Sequence, residues 1–93
     1  MDPDYVEAVL AVVATVPAGR VTTYGAVAAI VGRAGPRQVG RVLSEHGSQV
    51  PWWRVVRADG TPPSCHGRTA GSLLRGEGTP LRADGRVDLG RAS

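Results

Sequence analysis

The stretch of sequence that decides the fold is Thr23–Glu45, which reads TYGAVAAIVGRAGPRQVGRVLSE. Thr23 is a typical N-cap residue, and the apolar side chains that follow it predict a helix over residues 24–31. Gly32 suits the position just after that helix, and Pro36 suits the first position of the next one. Two short helices joined by a tight turn that contains glycine are typical of a helix-turn-helix.

A further helix is predicted on the N-terminal side of this segment. Asp4 can cap it, and the segment Val16–Gly19, which contains a proline and a glycine, ends it. Its apolar side chains recur at helical spacing: Val6, Val9, Leu10 and Val13. The helix that begins at Pro36 is predicted to run to about Glu45, with an apolar side made of Val39, Val42 and Leu43.

The remainder of the chain predicts short elements between loops. The pair Val55–Val56, followed by an Asp-Gly turn signal, predicts a strand, and residues 61–68 predict an irregular loop. A short helix is expected over 70–75, ended by Gly76. Beyond about residue 79, a few apolar side chains in a Gly/Arg/Asp background predict a hairpin or a loosely packed, less ordered end.

Length and composition exclude several classes of protein. The 93 residues predict one domain over 1–93, and the single cysteine, Cys65, excludes an internal disulfide and a cysteine-only zinc site. The sequence has no phosphate loop, no metal-ligand spacing and no apolar run near the roughly 20 residues of a membrane span, so we expect no cofactor and no membrane partner. The acidic start, Met-Asp-Pro-Asp, is unlike a signal peptide and predicts a cytoplasmic location.

The positive charge is concentrated in the middle of the chain. All 11 basic residues are arginine, and the net charge is +3. Residues 20–57 carry six arginines against one acidic residue, whereas residues 1–19 carry a net charge of −3. Arg37 and Arg41 are four residues apart and share one face of the third helix. This distribution indicates a polyanionic partner, although a solvated helix face and a GC-rich coding bias explain the same arginines.

Three runs of sequence, taken together, resemble one protein family. Residues 16–25 (VPAGRVTTYG), 37–43 (RQVGRVL) and 51–56 (PWWRVV) are similar, in order and approximate spacing, to the DNA-binding domain of O6-alkylguanine-DNA alkyltransferases. The resemblance covers roughly residues 3 to 78. It implies a mostly α, small winged helix-turn-helix-like domain with short β strands.

The resemblance departs from the family at the reactive position. Alkyltransferases have Pro-Cys-His-Arg-Val where this chain has PWWRV, so Trp52 stands in the place of the alkyl-accepting cysteine and Trp53 in that of the histidine. This pattern is similar to that of the alkyltransferase-like proteins, which bind alkylated DNA without repairing it. An indole offers neither a nucleophile nor a proton acceptor. Glu77 matches the acid of the family's Cys-His-Glu chain and is expected to remain as a structural residue that pairs with an arginine.

The resemblance also implies how the domain meets DNA. The third helix would enter the minor groove, and Gly40 would allow close approach to the sugar–phosphate backbone. Arg37 matches the arginine that fills the gap left by a flipped nucleotide, and Tyr24 matches the tyrosine that pushes on the 3′ phosphate. Arg41, on the same helix face as Arg37, is expected to contact DNA as well.

The resemblance implies a lesion pocket around the Trp pair, with Trp52, Trp53, Arg54 and Val55 as its residues. Trp52 would lie beside the alkylated base, and Trp53 either packs behind Trp52 or adds to the wall. Base–aromatic stacking contributes about 1–3 kcal/mol per base and offsets part of the cost of flipping. The loop over residues 61–70 is expected to close this pocket, and its candidate contacts are Ser64, Cys65, His66 and Arg68.

Three functions follow from the sequence as alternatives. The first is a non-enzymatic sensor that binds O6-alkylguanine in duplex DNA as a monomer and flags it for nucleotide excision repair proteins. The second is a sequence-specific helix-turn-helix regulator that reads bases and ignores alkylation. The third is an active alkyltransferase that uses Cys65, which lies 13 residues beyond the matched position of the nucleophile.

Overall fold

The computed structural model describes residues 2–66 and 69–93. The helices in this part are α1 (Pro3–Ala14), α2 (Tyr24–Val31), α3 (Pro36–His46), α4 (Ala70–Gly76) and α5 (Leu89–Ala92). Two strands, β1 (Thr22–Thr23) and β2 (Val55–Val56), and one 3₁₀ turn, Trp52–Arg54, complete the order. This architecture agrees with the predicted mostly α domain with short strands. None of the described helices is long and apolar enough to cross a membrane.

The first helix begins earlier than the sequence predicts. Asp2, rather than Asp4, is its N-cap, and the Asp2 carboxylate accepts a hydrogen bond from the Asp4 backbone N–H at 2.9 Å. Pro3 explains the difference, because its fixed φ and missing N–H suit the first helical position and place the cap one residue before it. The predicted cap at Asp4 is therefore wrong.

The helix-turn-helix forms as predicted. The Thr23 hydroxyl accepts a hydrogen bond from the Ala26 backbone N–H at 3.1 Å, and α2 ends at Gly32, whose φ of +77° lies in the left-handed region that favours glycine. Helix α3 begins at Pro36 and ends at His46, one residue later than expected. Both helices thus take their bounds from local capping signals.

The main core lies between α1, α2 and α3. Its fully buried side chains come from the apolar positions of all three helices: Val9, Val13, Val27, Val39 and Val42. Trp52 and Val55, which follow α3 in the sequence, belong to the same cluster. At the edge of the core, Arg33 of the turn after α2 pairs with Asp2 at 2.7 Å and lies over the Tyr5 ring, which ties α1 to the helix-turn-helix.

The two strands are parallel, with Thr22 opposite Val55 and Thr23 opposite Val56. Since α2 and α3 lie between the strands in sequence, this pairing folds the segment that contains the Trp pair back against the start of α2. Parallel strands leave a sheet at the same end. The residues that follow the strands, Tyr24 and Arg57, are therefore brought to one edge.

Of the two alternatives predicted for the C-terminal segment, the structure agrees with the hairpin: the segment is packed against the domain rather than loosely packed. Val87 and Ala92 are almost fully buried in a second cluster with Val56 and Leu74. The hairpin appears as a single antiparallel bridge between Leu81 and Val87. The few apolar side chains of the tail are thus enough to seat it between the sheet and α4.

A close contact at Gly60 fixes this arrangement. Gly60 has a φ of +88°, and its carbonyl accepts a hydrogen bond from the Val87 backbone N–H at 2.8 Å. A Cβ at position 60 would overlap the Val87 carbonyl, so the turn after β2 requires glycine on two counts. On the other side of the sheet, the Val21 backbone N–H donates to the Ala92 carbonyl at 3.0 Å.

Candidate DNA-binding surface

An open cavity of about 580 Å³ lies where α2, α3, the end of β2 and the loop after it meet. Its lining combines apolar surface with polar side chains and two arginines, and no lining residue is acidic. Besides two prolines, the lining consists of residues with polar or ionisable side chains and one glycine: Tyr24, Arg37, Gly40, Ser44, Arg57, Ser64 and Cys65. The structure therefore brings three of the four predicted DNA contacts, and two of the predicted loop candidates, into one cavity.

Tyr24 and Gly40 form the contact between α2 and α3 at this cavity. Tyr24 is the first residue of α2, and its ring packs over the flank of α3 where Gly40 lies. A Cβ at position 40 would lie 3.8 Å from Tyr24 Cε1, which is ordinary van der Waals contact. Burial raises the pKa of the Tyr24 hydroxyl, while the nearby Arg57 guanidinium opposes part of that change. Tyr24 is therefore neutral at pH 7 and keeps an O–H to donate.

The two arginines of α3 have different surroundings. Arg37 is exposed, lines the cavity, and makes no ion pair with a described carboxylate. Arg41 pairs with Glu45 at 2.6 Å, one turn further along the helix, and does not line the cavity. Their shared helix face thus presents one unpaired charge, at Arg37, and one charge already offset by a neighbour.

The residues predicted to form a lesion pocket do not line this cavity. Val55 is fully buried in β2, and Trp52 is 3% exposed and belongs to the core. The Trp52 ring lies 5.1 Å from the His66 ring, and His66 Nε2 is 2.6 Å from the Leu43 carbonyl oxygen. In this structure Trp52 and Val55 are therefore core residues, with the His66 ring beside Trp52, and their role in a lesion pocket stays a prediction.

A hydrogen-bonded network links the second tryptophan of the pair, Trp53, to Arg54 and Glu77. The Trp53 indole Nε1–H donates to Glu77 Oε1 at 2.9 Å, and Arg54 Nε donates to Glu77 Oε2 at 3.0 Å. Arg54 Nη1 donates to the Val16 carbonyl at 2.8 Å. The arginine partner expected for Glu77 is thus Arg54, which also binds the backbone of the Val16–Gly19 segment.

This network joins three separate parts of the chain. The side chains of Arg54 and Glu77 are each 16% exposed, so the ion pair is largely withdrawn from water. Hydrogen bonds from Arg54 lower the pKa of the Glu77 carboxyl below its ordinary value of 4.5, with a further contribution from Trp53. Glu77 is therefore ionised at neutral pH and holds the 3₁₀ turn, the end of α4 and the Val16–Gly19 segment together.

The described residues place no activated nucleophile in the cavity. Cys65 lines it, but burial raises the pKa of its thiol, which favours the unreactive protonated form. The neighbouring His66 directs Nε2 at the Leu43 carbonyl. Within residues 2–66 and 69–93, no group of three His, Cys, Asp or Glu side chains could hold a metal ion.

Two polar residues of the cavity lining were not predicted from the sequence: Ser44 and Arg57. Arg57 follows β2 directly, as Tyr24 follows β1, so a prediction of parallel pairing between the strands would have placed the two side by side. The candidate Arg68 lies outside the described residues.

The chain is similar to a known protein family and to two named proteins. A family model described as the DNA-binding domain of 6-O-methylguanine DNA methyltransferase matches residues 4–79. A DNA base-flipping protein of Escherichia coli is 42% identical over an alignment of 88 positions, which covers 86% of this chain and 66% of that protein. A DNA base-flipping protein of Vibrio parahaemolyticus is 40% identical over 55 residues, covering 56% of this chain and 55% of that protein. This chain thus spans about two thirds of the length of the E. coli relative.

Solved structures of an alkyltransferase-like protein share the fold. S. pombe Atl1 in complex with DNA containing O6-carboxymethylguanine superposes with a TM-score of 0.71 at 32% identity, covering 88% of this chain and 82% of that one. S. pombe ATL in complex with DNA superposes with a TM-score of 0.81 at 27% identity, covering 100% of this chain and 97% of that one. Sequence and fold agree, and the chain belongs to the family defined by the DNA-binding domain of 6-O-methylguanine DNA methyltransferase.

Proposed function

We propose that this protein is a non-enzymatic sensor of O6-alkylguanine in duplex DNA. The observation that carries the proposal is the cavity in which Tyr24, Arg37 and Gly40 meet at the helix-turn-helix. The base-flipping relatives, and the related protein solved on damaged DNA, support the same function for this chain.

In the proposed function each of the three residues has a task in flipping a nucleotide. Gly40 presents bare backbone on the side of α3 that faces the cavity, so a sugar–phosphate chain can approach the helix closely. The neutral Tyr24 hydroxyl lies beside that point and donates a hydrogen bond to a phosphate. Arg37, exposed and unpaired, fills the space that the rotated base leaves in the duplex.

The rotated base is held by stacking on Trp52. This contact is worth about 1–3 kcal/mol, comparable with the few kcal/mol that unstacking a base costs. Because Trp52 is only 3% exposed, the segment that carries His66 has to move away from the indole ring when the base enters. Lesion binding is therefore accompanied by a change in the surroundings of Trp52.

The alkyl group stays on the DNA after binding. Trp52 has no nucleophilic atom, Trp53 uses its N–H to bind Glu77, and the Cys65 thiol is protonated. A protein that binds a lesion without removing it can only mark that lesion for other proteins. We propose that nucleotide excision repair proteins recognise the marked lesion. We further propose that it acts as a monomer, in the cytoplasm, where it is associated with the nucleoid when bound to DNA.

Incubation with a duplex that carries a labelled methyl group on guanine O6 tests the absence of transfer. We expect all label to remain on the DNA, with equal binding by the wild type and by Cys65→Ser. Label found on the protein and lost in Cys65→Ser would establish an alkyltransferase that uses Cys65 and would overturn the proposal.

A sequence-specific regulator is the second candidate, because α2 and α3 form a helix-turn-helix with an exposed arginine at the start of α3. Selection of bound duplexes from a random pool separates the two functions. A regulator returns a sequence motif, whereas a sensor returns none and is instead enriched for duplexes that carry the alkylated guanine.

A further inference from the structure

Arg57 shares the cavity with Tyr24 because of the way the sheet is paired. Thr23 and Val56 are opposite each other in parallel strands, so Tyr24 and Arg57 leave the sheet together at the same end. Both side chains line the cavity, and the Arg57 charge is close enough to act on the pKa of the Tyr24 hydroxyl. A cation thus lies beside the residue that pushes on a phosphate.

The charge of Arg57 is available to a ligand. Four arginines of the described chain make ion pairs with carboxylates: Arg33, Arg41, Arg54 and Arg86. Arg57 belongs to none of these pairs, and the nearest acid in sequence, Asp59, is held by the backbone N–H and the hydroxyl of Thr61. The guanidinium therefore faces the cavity without a counter-charge from the described carboxylates.

The charged and hydroxyl-bearing residues of the cavity lining are suited to an anion. Arg37 enters from α3 and Arg57 from the end of β2, and the hydroxyls of Ser44 and Ser64 lie on the same surface. No lining residue is acidic. Two guanidinium groups and two hydroxyl donors around an open space favour a phosphate, which accepts several charge-assisted hydrogen bonds at once.

The backbone of Arg57 is held in place before any ligand arrives. Its N–H donates to the Thr61 carbonyl at 3.0 Å, and its carbonyl accepts from the Gly60 N–H at 2.8 Å. Gly60 is itself fixed by Val87 of the packed tail. A cation on a rigid turn loses less conformational freedom on binding than one on a mobile loop.

We propose that Arg57 binds a backbone phosphate of the DNA strand that carries the flipped nucleotide. The proposal rests on the proposed function, since that function brings the strand to Tyr24. It adds a contact from the turn after β2 to those made by the helix-turn-helix. Phosphate contacts carry no direct information about the base, so Arg57 adds affinity for damaged and undamaged duplex alike.

The test measures dissociation constants by fluorescence anisotropy, for an O6-methylguanine duplex and its unmodified match, between 50 and 200 mM salt. The variants are Arg57→Gln, Arg57→Lys, and Arg82→Gln as a control, since Arg82 is an exposed arginine that does not line the cavity. One phosphate contact contributes about 0.9 to the slope of log K against log salt, or about a 3.5-fold change over this range.

We expect Arg57→Gln to weaken binding to both duplexes by the same factor and to lower the salt slope by about 0.9. Arg57→Lys is expected to keep the slope, and Arg82→Gln to keep both the slope and the affinity. Wild-type slope and affinity in Arg57→Gln would overturn the proposal, and so would a loss confined to the methylated duplex, which would indicate contact with the base. A wild type without preference for the methylated duplex would instead contradict the proposed function, whatever Arg57 does.

Discussion

Replacing Gly40 by alanine separates the stability of the fold from DNA binding. Gly40 lies inside α3, where alanine is favoured over glycine by about 0.5–1 kcal/mol. The nearest atoms to the new Cβ are Tyr24 Cε1 at 3.8 Å and Cδ1 at 4.0 Å, so the methyl group packs on the ring without a clash. We therefore expect the midpoint of thermal unfolding to rise by about 2–8 °C for a domain of this size.

The same methyl group is expected to weaken binding to DNA. It lies on the side of α3 that lines the cavity, where the proposed function brings the sugar–phosphate backbone against the helix. A methyl group that pushes the DNA backbone away from the helix removes at least one charge-assisted hydrogen bond, which is worth about 1.5–3 kcal/mol. The expected loss of affinity is therefore roughly tenfold or greater. Gly40→Ala is thus expected to be a more stable protein that binds worse.

Thermal unfolding followed by circular dichroism, and anisotropy with an O6-methylguanine duplex, measure the two effects. Gly71→Ala is the matched control, because it places the same methyl group on α4 with nothing within 4 Å. We expect it to bind as the wild type does. Wild-type affinity in Gly40→Ala would refute the docking of α3 on the DNA backbone, and a lower unfolding midpoint would refute the packing argument.

Two further predictions concern charged residues. Arg37→Ala is expected to weaken binding to the methylated duplex by about 1–3 kcal/mol, and Arg41→Ala by less, because Glu45 already offsets its charge; equal effects in anisotropy would contradict the distinction. Glu77→Gln is expected to lower the free energy of unfolding at pH 7 by about 2–3 kcal/mol through the lost pair with Arg54. Because the pKa of Glu77 is lowered on folding, its stabilisation is present above the ordinary pKa of 4.5 and is lost as pH falls through the folded value. The difference between the two proteins in urea unfolding should therefore shrink as the pH falls below 4.5, and a constant difference would contradict this linkage.

The local elements of the fold could be predicted from the sequence because their signals are local. Thr23 and Gly32 bound α2, and Pro36 begins α3, as their capping preferences indicate. The start of α1 was missed because Asp2 and Asp4 are both good caps, and the effect of Pro3 decided between them. Helix ends could thus be predicted from the sequence wherever a single residue was clearly the best cap.

The arrangement of the site could be predicted only in part, since it depends on contacts between distant residues. The family resemblance identified Tyr24, Arg37 and Gly40, which the fold brings to one cavity. Nothing in the sequence around Trp52 says that a loop 14 residues later covers it with His66. Arg57 was missed because its position depends on parallel pairing with a strand more than 30 residues earlier.

The packed tail shows the same limit. Val87 and Ala92 are buried against side chains from β2 and α4, and three or four apolar residues in a polar segment do not reveal such a partner. Their burial matters for the site, because Val87 holds Gly60 and through it the turn that carries Arg57.

The most direct test of the central claim compares the affinity of the wild-type protein for two duplexes that differ only in an O6-methyl group on one guanine. The comparison is made at several salt concentrations, because rising salt weakens the phosphate contacts of both duplexes equally. Contacts with the uncharged methylated base are not weakened by salt. The proposed sensor binds the methylated duplex more tightly, with a ratio of affinities that stays constant or grows with salt. Equal affinity for the two duplexes at every salt concentration would contradict the account.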